Sequence, residues 1–183
     1  MELNKSNEKF MSKIYLLVGP PGSGKSTYAK TLNATIINQD EIGDRKKCIL
    51  QAGKALEQGL DIIIDRCNIN KAQRSYWIYL AKQHNAQIQC IEFIAEPEEC
   101  VKRIMKRKNH PTINNMTESK VRDILNKFVK EYEVPNAIKE HFSSHITFYV
   151  DNIIASERKD SNGPFHRYWR FITAFFNKIT RRS

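Results

Sequence analysis

"IYLLVGPPGSGKST", residues 14–27, sets a short apolar run directly before a glycine-rich turn, and the chain carries no second motif of that kind. Gly19, Gly24, Lys25 and Ser26 satisfy the pattern G-x-x-x-x-G-K-[ST], and the motif is meaningful where a strand enters it and a helix leaves it. The stretch Gly19, Pro20, Pro21, Gly22, Ser23, Gly24, Lys25, Ser26 and Thr27 is therefore read as a phosphate cradle. Its glycines let backbone N–H groups close on phosphate, and the following helix adds its N-terminal dipole. Lys25 is placed to reach the β- and γ-phosphates and Ser26 to ligate Mg²⁺. ATP and Mg²⁺ are the expected cofactors.

Further along the chain the same alternation repeats. Apolar runs at "IYLLVG" (14–19), "ATIIN" (34–38), "DIIID" (61–65), "QIQCIEFIA" (87–95) and "HITFYV" (145–150) are separated by segments such as "KALEQGL" and "AQRSYWIYLAKQH", whose apolar residues recur at three and four. That pattern predicts βαβ units: an α/β fold with a parallel sheet of about five strands, helices on both faces and the site at the carboxyl ends of the strands. Residues 117–133, "TESKVRDILNKFVKEYE", read as a helix opened by an imperfect capping box from Thr117 to Lys120, with Val121, Leu125, Phe128 and Tyr132 along one face.

Length and composition bound the rest. A chain of 183 residues holds one full core, with little room for a second catalytic unit. The organisation expected is a tail at 1–12, a kinase domain at 13–156, a polar linker at 157–164 around "ERKDSNGP", and a basic aromatic helix at 165–183. Thirty Lys and Arg against 20 Asp and Glu leave a net charge of +10, an excess that concentrates polyanions near the surface. Cys48, Cys67, Cys90 and Cys100 lie at wide spacings with no CxxC pair, which reads as reduced thiols and excludes a zinc-site pattern. The first residues, "MELNKSNEKFMS", lack the apolar centre of a signal peptide, and no run of about 18 apolar residues offers a membrane span. A reducing compartment, cytoplasmic or nuclear, is the expectation.

The acceptor side is less determined by the residues alone. Asp40 in "IINQDE" follows the second strand and reads either as a general base toward a hydroxyl or as the cap of the next helix. Asp65 ends "DIIID", the place of a metal-orienting carboxylate or of a turn aspartate. Arg103 and Arg107, four apart in "VKRIMKRK", form either a lid over the transferred phosphoryl group or a solvated basic face. Arg74 in "NKAQRSYW" is equally open.

Taken together these stretches resemble the polynucleotide 5′-hydroxyl kinases, both the bacteriophage type and the kinase half of the animal kinase/phosphatase, over most of residues 13–150. The resemblance implies an adenylate-kinase-like P-loop NTPase fold with a helical lid. "INQDE" is similar to the segment whose aspartate acts as general base, which puts that role on Asp40. "DRCNINKAQRSYW" resembles D-x-N-x-N-x-x-x-R-x-x-W and brings in Asp65 for the metal and Asn68 and Arg74 for the substrate. "VKRIMKR" is similar to the lid helix, implicating Arg103 and Arg107 at the ATP phosphates, with Arg107 catalytic beside Lys25. "KEYEVPNAIKEHF" looks like the P-x(4)-E-G-F stretch that closes the animal-type domain, with His141 where glycine is usual. The phage type carries an arginine three residues after its catalytic aspartate, where this chain has Gly43; Arg45, Lys46 and Lys47 are the candidates to replace it, Arg45 first. No DxDGT-like motif is present, so phosphatase activity is not expected.

The activity implied is transfer of the γ-phosphoryl group of ATP to the 5′-hydroxyl of DNA or RNA, as in end repair. Its rivals are a kinase of a small hydroxyl substrate and a nucleotide-dependent switch. In residues 165–182, "FHRYWRFITAFFNKITRR", aromatic and aliphatic residues recur at helical spacing with no acid among them. This is the pattern of a helix packed on the domain, docked on a partner, or lying on a membrane surface.

Overall fold

Valine and isoleucine stiffen the backbone toward extended conformations, and the runs that hold them form the strands. The computed structural model describes residues 11–107 and 116–150. In chain order these are β1 (Lys13–Val18), α1 (Lys25–Ala29), β2 (Thr35–Asn38), α2 (Gln39–Ile42), α3 (Arg45–Glu57), β3 (Ile62–Asp65), α4 (Lys71–Gln83), β4 (Gln87–Ala95), α5 (Pro97–Lys106), α6 (Glu118–Glu131) and β5 (Ser144–Val150). All strand pairings are parallel, in the order β2-β3-β1-β4-β5. The expected α/β architecture is thus present. Strand ends move by a residue from the sequence reading, as at β1, where Gly19 leaves the extended region at φ 144. The tail over residues 1–10, the end of the domain beyond 150, the linker at 157–164 and the helix at 165–183 lie outside the described residues. Among the described residues no helix is long and apolar enough to cross a membrane.

Alternation along the strands divides the core into two layers. Ile14, Leu16, Val18, Ile62 and Ile64 face α3 and α4, packing with Cys48, Ala52, Trp77 and Leu80. Leu17, Ile63, Ile91 and Phe93 face the other way, against Ala29. Burial on both faces is why these strands read as continuous apolar runs. Thr117 Oγ1 accepts from the Lys120 amide at 3.4 Å, starting α6 one residue later as its cap requires. Val121, Leu125 and Phe128 are then buried.

The loop from β3 to α4 is held by buried polar groups. Asn68, fully buried at φ 45, donates from Nδ2 to the Leu17 carbonyl at 2.7 Å and accepts from Trp77 Nε1 at 3.1 Å. Arg74 is buried too, pairing with Glu140 through Nε at 2.7 Å and Nη2 at 2.9 Å, while Nη1 donates to the Glu133 carbonyl at 2.8 Å. The guanidinium fork thereby anchors residues 133–140, which carry no regular structure, onto α4. His141, in the position where glycine was noted, takes φ 55, a left-handed conformation that glycine adopts without strain. On β4, buried Glu92 accepts from Tyr132 Oη and Thr147 Oγ1 and hydrogen-bonds His145 Nε2.

Removing one partner of a buried ion pair leaves the other charge uncompensated, at a cost of about 3–5 kcal/mol. Glu140→Ala is expected to lower unfolding stability by that amount in urea titration, and Arg74→Met with Glu140→Leu to recover most of it. A loss for Glu140→Ala below about 1 kcal/mol, the range of exposed pairs, would show that the pair does not hold the segment.

Candidate active site

β1 is the central strand and the order reverses beside it, so the crevice at its carboxyl end is the natural place for a ligand. The loop there is shaped by close backbone contact. A Cβ at Gly19 would lie 2.5 Å from the Phe93 carbonyl oxygen, and one at Gly22, φ 82, would lie 2.8 Å from that of Cys100. Lys25 is buried, its Nζ donating to the Pro20 carbonyl at 2.7 Å and to Ser23 Oγ at 3.4 Å. An ammonium has three donors, so one remains for an anion. The Gly19 amide donates to the Cys67 carbonyl at 3.1 Å, locking the loop to the exit of β3.

A cavity of about 350 Å³ opens over this loop. Pro21, Gly22, Gly24, Lys25 and Ser26 line one side. Asn38, Gln39, Asp40, Asp65 and Arg66 line the other, and Arg107 also lines the cavity. Both aspartates therefore share one cavity with the cradle. Asn38 Nδ2 donates to Asp65 Oδ2 at 3.4 Å, tying the ends of β2 and β3 together. Asp65 is buried and Ser26 exposed; a carboxylate and a hydroxyl lining one cavity are hard oxygen donors of the kind a magnesium ion takes.

The capping alternative for Asp40 is resolved by its neighbours. Asn38 Oδ1 accepts from the Asp40 amide at 2.9 Å and caps α2, while Asp44 Oδ1 accepts from the Lys47 amide at 3.0 Å and caps α3. Asp40 caps neither helix, and its residue is exposed at the cavity.

Other expectations are corrected. Asn68 and Arg74 do not line the cavity: both are fully buried, with their polar atoms engaged in the β3–α4 loop and with Glu140. Arg45 is not a lining residue; its guanidinium lies 4.9 Å over the Tyr76 ring. Arg103 and Arg107 do not share a regular helix face, since Arg107 is already extended (ψ 127) as the C-cap of α5. They meet instead along a second, more open groove of about 560 Å³ with Gly22, Thr27, Tyr28, Phe93 and Phe148. Tyr28, Phe93 and Phe148 pack with ring centroids 5.2–5.5 Å apart.

Sequence reasoning missed Arg66, which lies beside Asp65 and carries no motif signal beyond that adjacency. Burial first, and the neighbouring Arg45 guanidinium next, push its guanidinium below its ordinary value. Burial likewise raises the thiols of Cys48 and Cys90.

These elements define the class: an α/β domain of the P-loop kinase fold. Kti12 of Chaetomium thermophilum, solved in complex with ADP-AlF3, shares that fold with a TM-score of 0.56 over 88% of this chain and 97% of its own, at 15% identity. A family model described as an AAA domain matches residues 46–131. The narrower likeness comes from sequence relatives. The bifunctional polynucleotide phosphatase/kinase of Schizosaccharomyces pombe is 29% identical over 136 residues, 72% of this chain and 32% of that protein. Transcription factor bHLH140 of Arabidopsis thaliana is 29% identical over 155 residues, 79% of this chain and 17% of that protein. The resemblance to the polynucleotide kinases is therefore shared by a relative bearing that name. The chain spans a third or less of the length of these two relatives.

Cys67 lines the cavity and is half-buried, whereas Cys48, Cys90 and Cys100 are buried. Thiol reactivity follows thiolate access, so a disulfide reagent is expected to modify Cys67 first in the native protein, and inorganic tripolyphosphate to slow that modification. Equal rates for all four cysteines, read by peptide mass spectrometry, would contradict the placement.

Proposed function

We propose that this domain is an ATP-dependent kinase acting on the 5′-hydroxyl of DNA or RNA, in the processing of nucleic-acid ends. The observation that carries this reading is Asp40: an exposed carboxylate, relieved of capping by Asn38 and Asp44, in one cavity with the buried ammonium of Lys25. A P-loop alone holds a donor; a carboxylate across from it supplies what a hydroxyl acceptor needs. The sequence likeness to a polynucleotide phosphatase/kinase over 72% of the chain favours a nucleic-acid acceptor over a small molecule, as does the net charge of +10.

In this mechanism the loop amides and Lys25 hold the donor's terminal phosphates. Ser26 and Asp65 are the residues that would hold Mg²⁺, directly or through its waters, and the ion would supply neutralisation of phosphate charge. Asp40 accepts the proton of the attacking hydroxyl as its oxygen bonds the γ-phosphorus, while the bond from that phosphorus to the β–γ bridging oxygen breaks and ADP leaves with the electron pair. Arg107, which lines both hollows, and Arg103 in the groove offset charge during transfer. The aromatic wall of Tyr28, Phe93 and Phe148 beside the loop suits the donor's base.

The test is incubation of the purified chain with γ-labelled ATP, Mg²⁺ and 5′-hydroxyl oligonucleotides of DNA and RNA. Label should appear at the 5′ end. Asp40→Asn should slow transfer by about 10²–10⁴-fold, the range of a positioned general base, and Arg107→Ala by about 10³-fold or more. Transfer to sugars but to no oligonucleotide would give the site to a small-molecule kinase; transfer undiminished in Asp40→Asn would remove the base.

A further inference from the structure

The cavity has lining that belongs neither to the cradle nor to the strand ends. Ile69 just before α4, Gln73 in its first turn, Met116 just before α6 and Ile124 within it supply that lining. None of the four lines the groove where Tyr28, Phe93 and Phe148 stand. With Asp40 read as the base, this wall belongs to the acceptor's cavity and not to the groove for the donor's base.

α4 and α6 are far apart in sequence, so the two halves of the wall need a joint. Glu133, the second residue after α6, makes it with three hydrogen bonds. Its amide donates to the Ile69 carbonyl at 3.0 Å, and its carbonyl accepts from Arg74 Nη1 at 2.8 Å. Its carboxylate oxygen Oε2 accepts from the Lys71 amide at 2.7 Å, across 62 positions of sequence. Lys71 opens α4, where an amide has no partner within the helix and the dipole favours a negative charge. The Ile69 amide in turn donates to Gln73 Oε1 at 3.2 Å, so both lining residues follow the joint. Behind it, Cys67, Ile69, Val129 and Tyr132 pack on Ile94 and Phe128, which puts the Cys67 thiol in the seam between the β3–α4 loop and α6. Glu133 itself is exposed, so its carboxylate can be removed without orphaning a buried charge.

We propose that Glu133 is a positioning residue for the acceptor: its carboxylate, capping α4 from the end of α6, holds Ile69 and Gln73 against Ile124 and so sets the wall on which the acceptor lies beside Asp40. The inference rests on the acceptor assignment of Asp40 made above, but its first readout does not require turnover.

The experiment follows modification of the full chain by a disulfide reagent, resolved to each cysteine by peptide mass spectrometry, together with equilibrium titration with ADP. Glu133→Ala is expected to speed modification of Cys67 by at least about fivefold, the size of a lost cap expressed as local opening. Cys48, Cys90 and Cys100, all buried, should keep their wild-type rates. ADP affinity should stay within about twofold, because the opening is confined to the joint. Glu133→Gln keeps an oxygen acceptor for the Lys71 amide and should stay within about twofold of wild type throughout. Lys71→Pro removes the donor of the same bond; proline suits the first helical position, and Asn70 before it is already extended at φ −131, ψ 168. That variant should speed Cys67 as Glu133→Ala does, and combining the two should add nothing further. With oligonucleotide as acceptor, Glu133→Ala should raise the oligonucleotide KM by about the same factor and leave the ATP KM unchanged.

Cys67 unmoved in Glu133→Ala and Lys71→Pro, all four thiols accelerating together, or Glu133→Gln behaving as Glu133→Ala overturns the proposal. So does an oligonucleotide KM that keeps its wild-type value while Cys67 accelerates, or an ADP affinity that falls with it. If the thiol rates behave as expected and no oligonucleotide is phosphorylated by the wild type, the joint stands and its acceptor role falls with the kinase reading. Phosphorylation with Cys67 unmoved in both variants leaves the kinase reading standing and removes the joint.

Discussion

The amide side chain of Asn68 is the contact on which the site's geometry hangs. It donates to the carbonyl of Leu17 near the end of β1 and accepts from the indole of Trp77 in α4. With the Gly19 amide bonded to the Cys67 carbonyl, it fixes the exit of β3 against the start of the phosphate-type loop. A fully buried amide must satisfy its polar atoms inside the protein, so the residues at the exit of β3, Asp65 to Cys67, cannot drift from the cradle without leaving two groups unpaired. Arg74 reinforces the same loop from below, and its bidentate pairing with Glu140 binds in residues that form no helix or strand. Family resemblance had put both side chains on the substrate. Their burial makes them the frame that holds Asp65 and Arg66 in place.

The acceptor side depends on a second, smaller economy of caps. α2 has only one turn, and a turn that short is held by its ends. Asn38 provides the first cap, Gly43 closes the turn at φ 81, and Asp44 begins α3. Because two neighbours take the capping work, the Asp40 carboxylate is left at the cavity. The glycine at 43 also explains the departure from the phage pattern in physical terms: a left-handed C-cap there favours a residue without a Cβ.

Charge is distributed unevenly around this crevice. Lys25 is engaged with its own loop, Arg66 and Arg107 line the cavity, and the Arg45 guanidinium, outside it, acts on that of Arg66. Cations held apart from carboxylates raise the local potential where an anion enters, and low-dielectric walls strengthen it. The acids that do lie in the cavity, Asp40 and Asp65, suit a proton and a metal and so complement that field.

Much of this was legible in the chain itself. The motif at 19–27, the five apolar runs and the cap at Thr117 depend on interactions within a few residues, so local pattern determines them, and the parallel α/β class follows from their alternation. Asp40 and Asp65 could be listed from sequence because they sit at strand ends. Whether Asp40 capped a helix could not, since that depended on which neighbour's oxygen reached which amide. Asn68 and Arg74 looked like site residues for the same reason that Arg66 did not: burial and partners are set by packing across some 50 to 66 positions of sequence. Only the tertiary structure decided that an asparagine and an arginine inside the motif face inward, while the unremarked arginine between Asp65 and Cys67 lines the cavity.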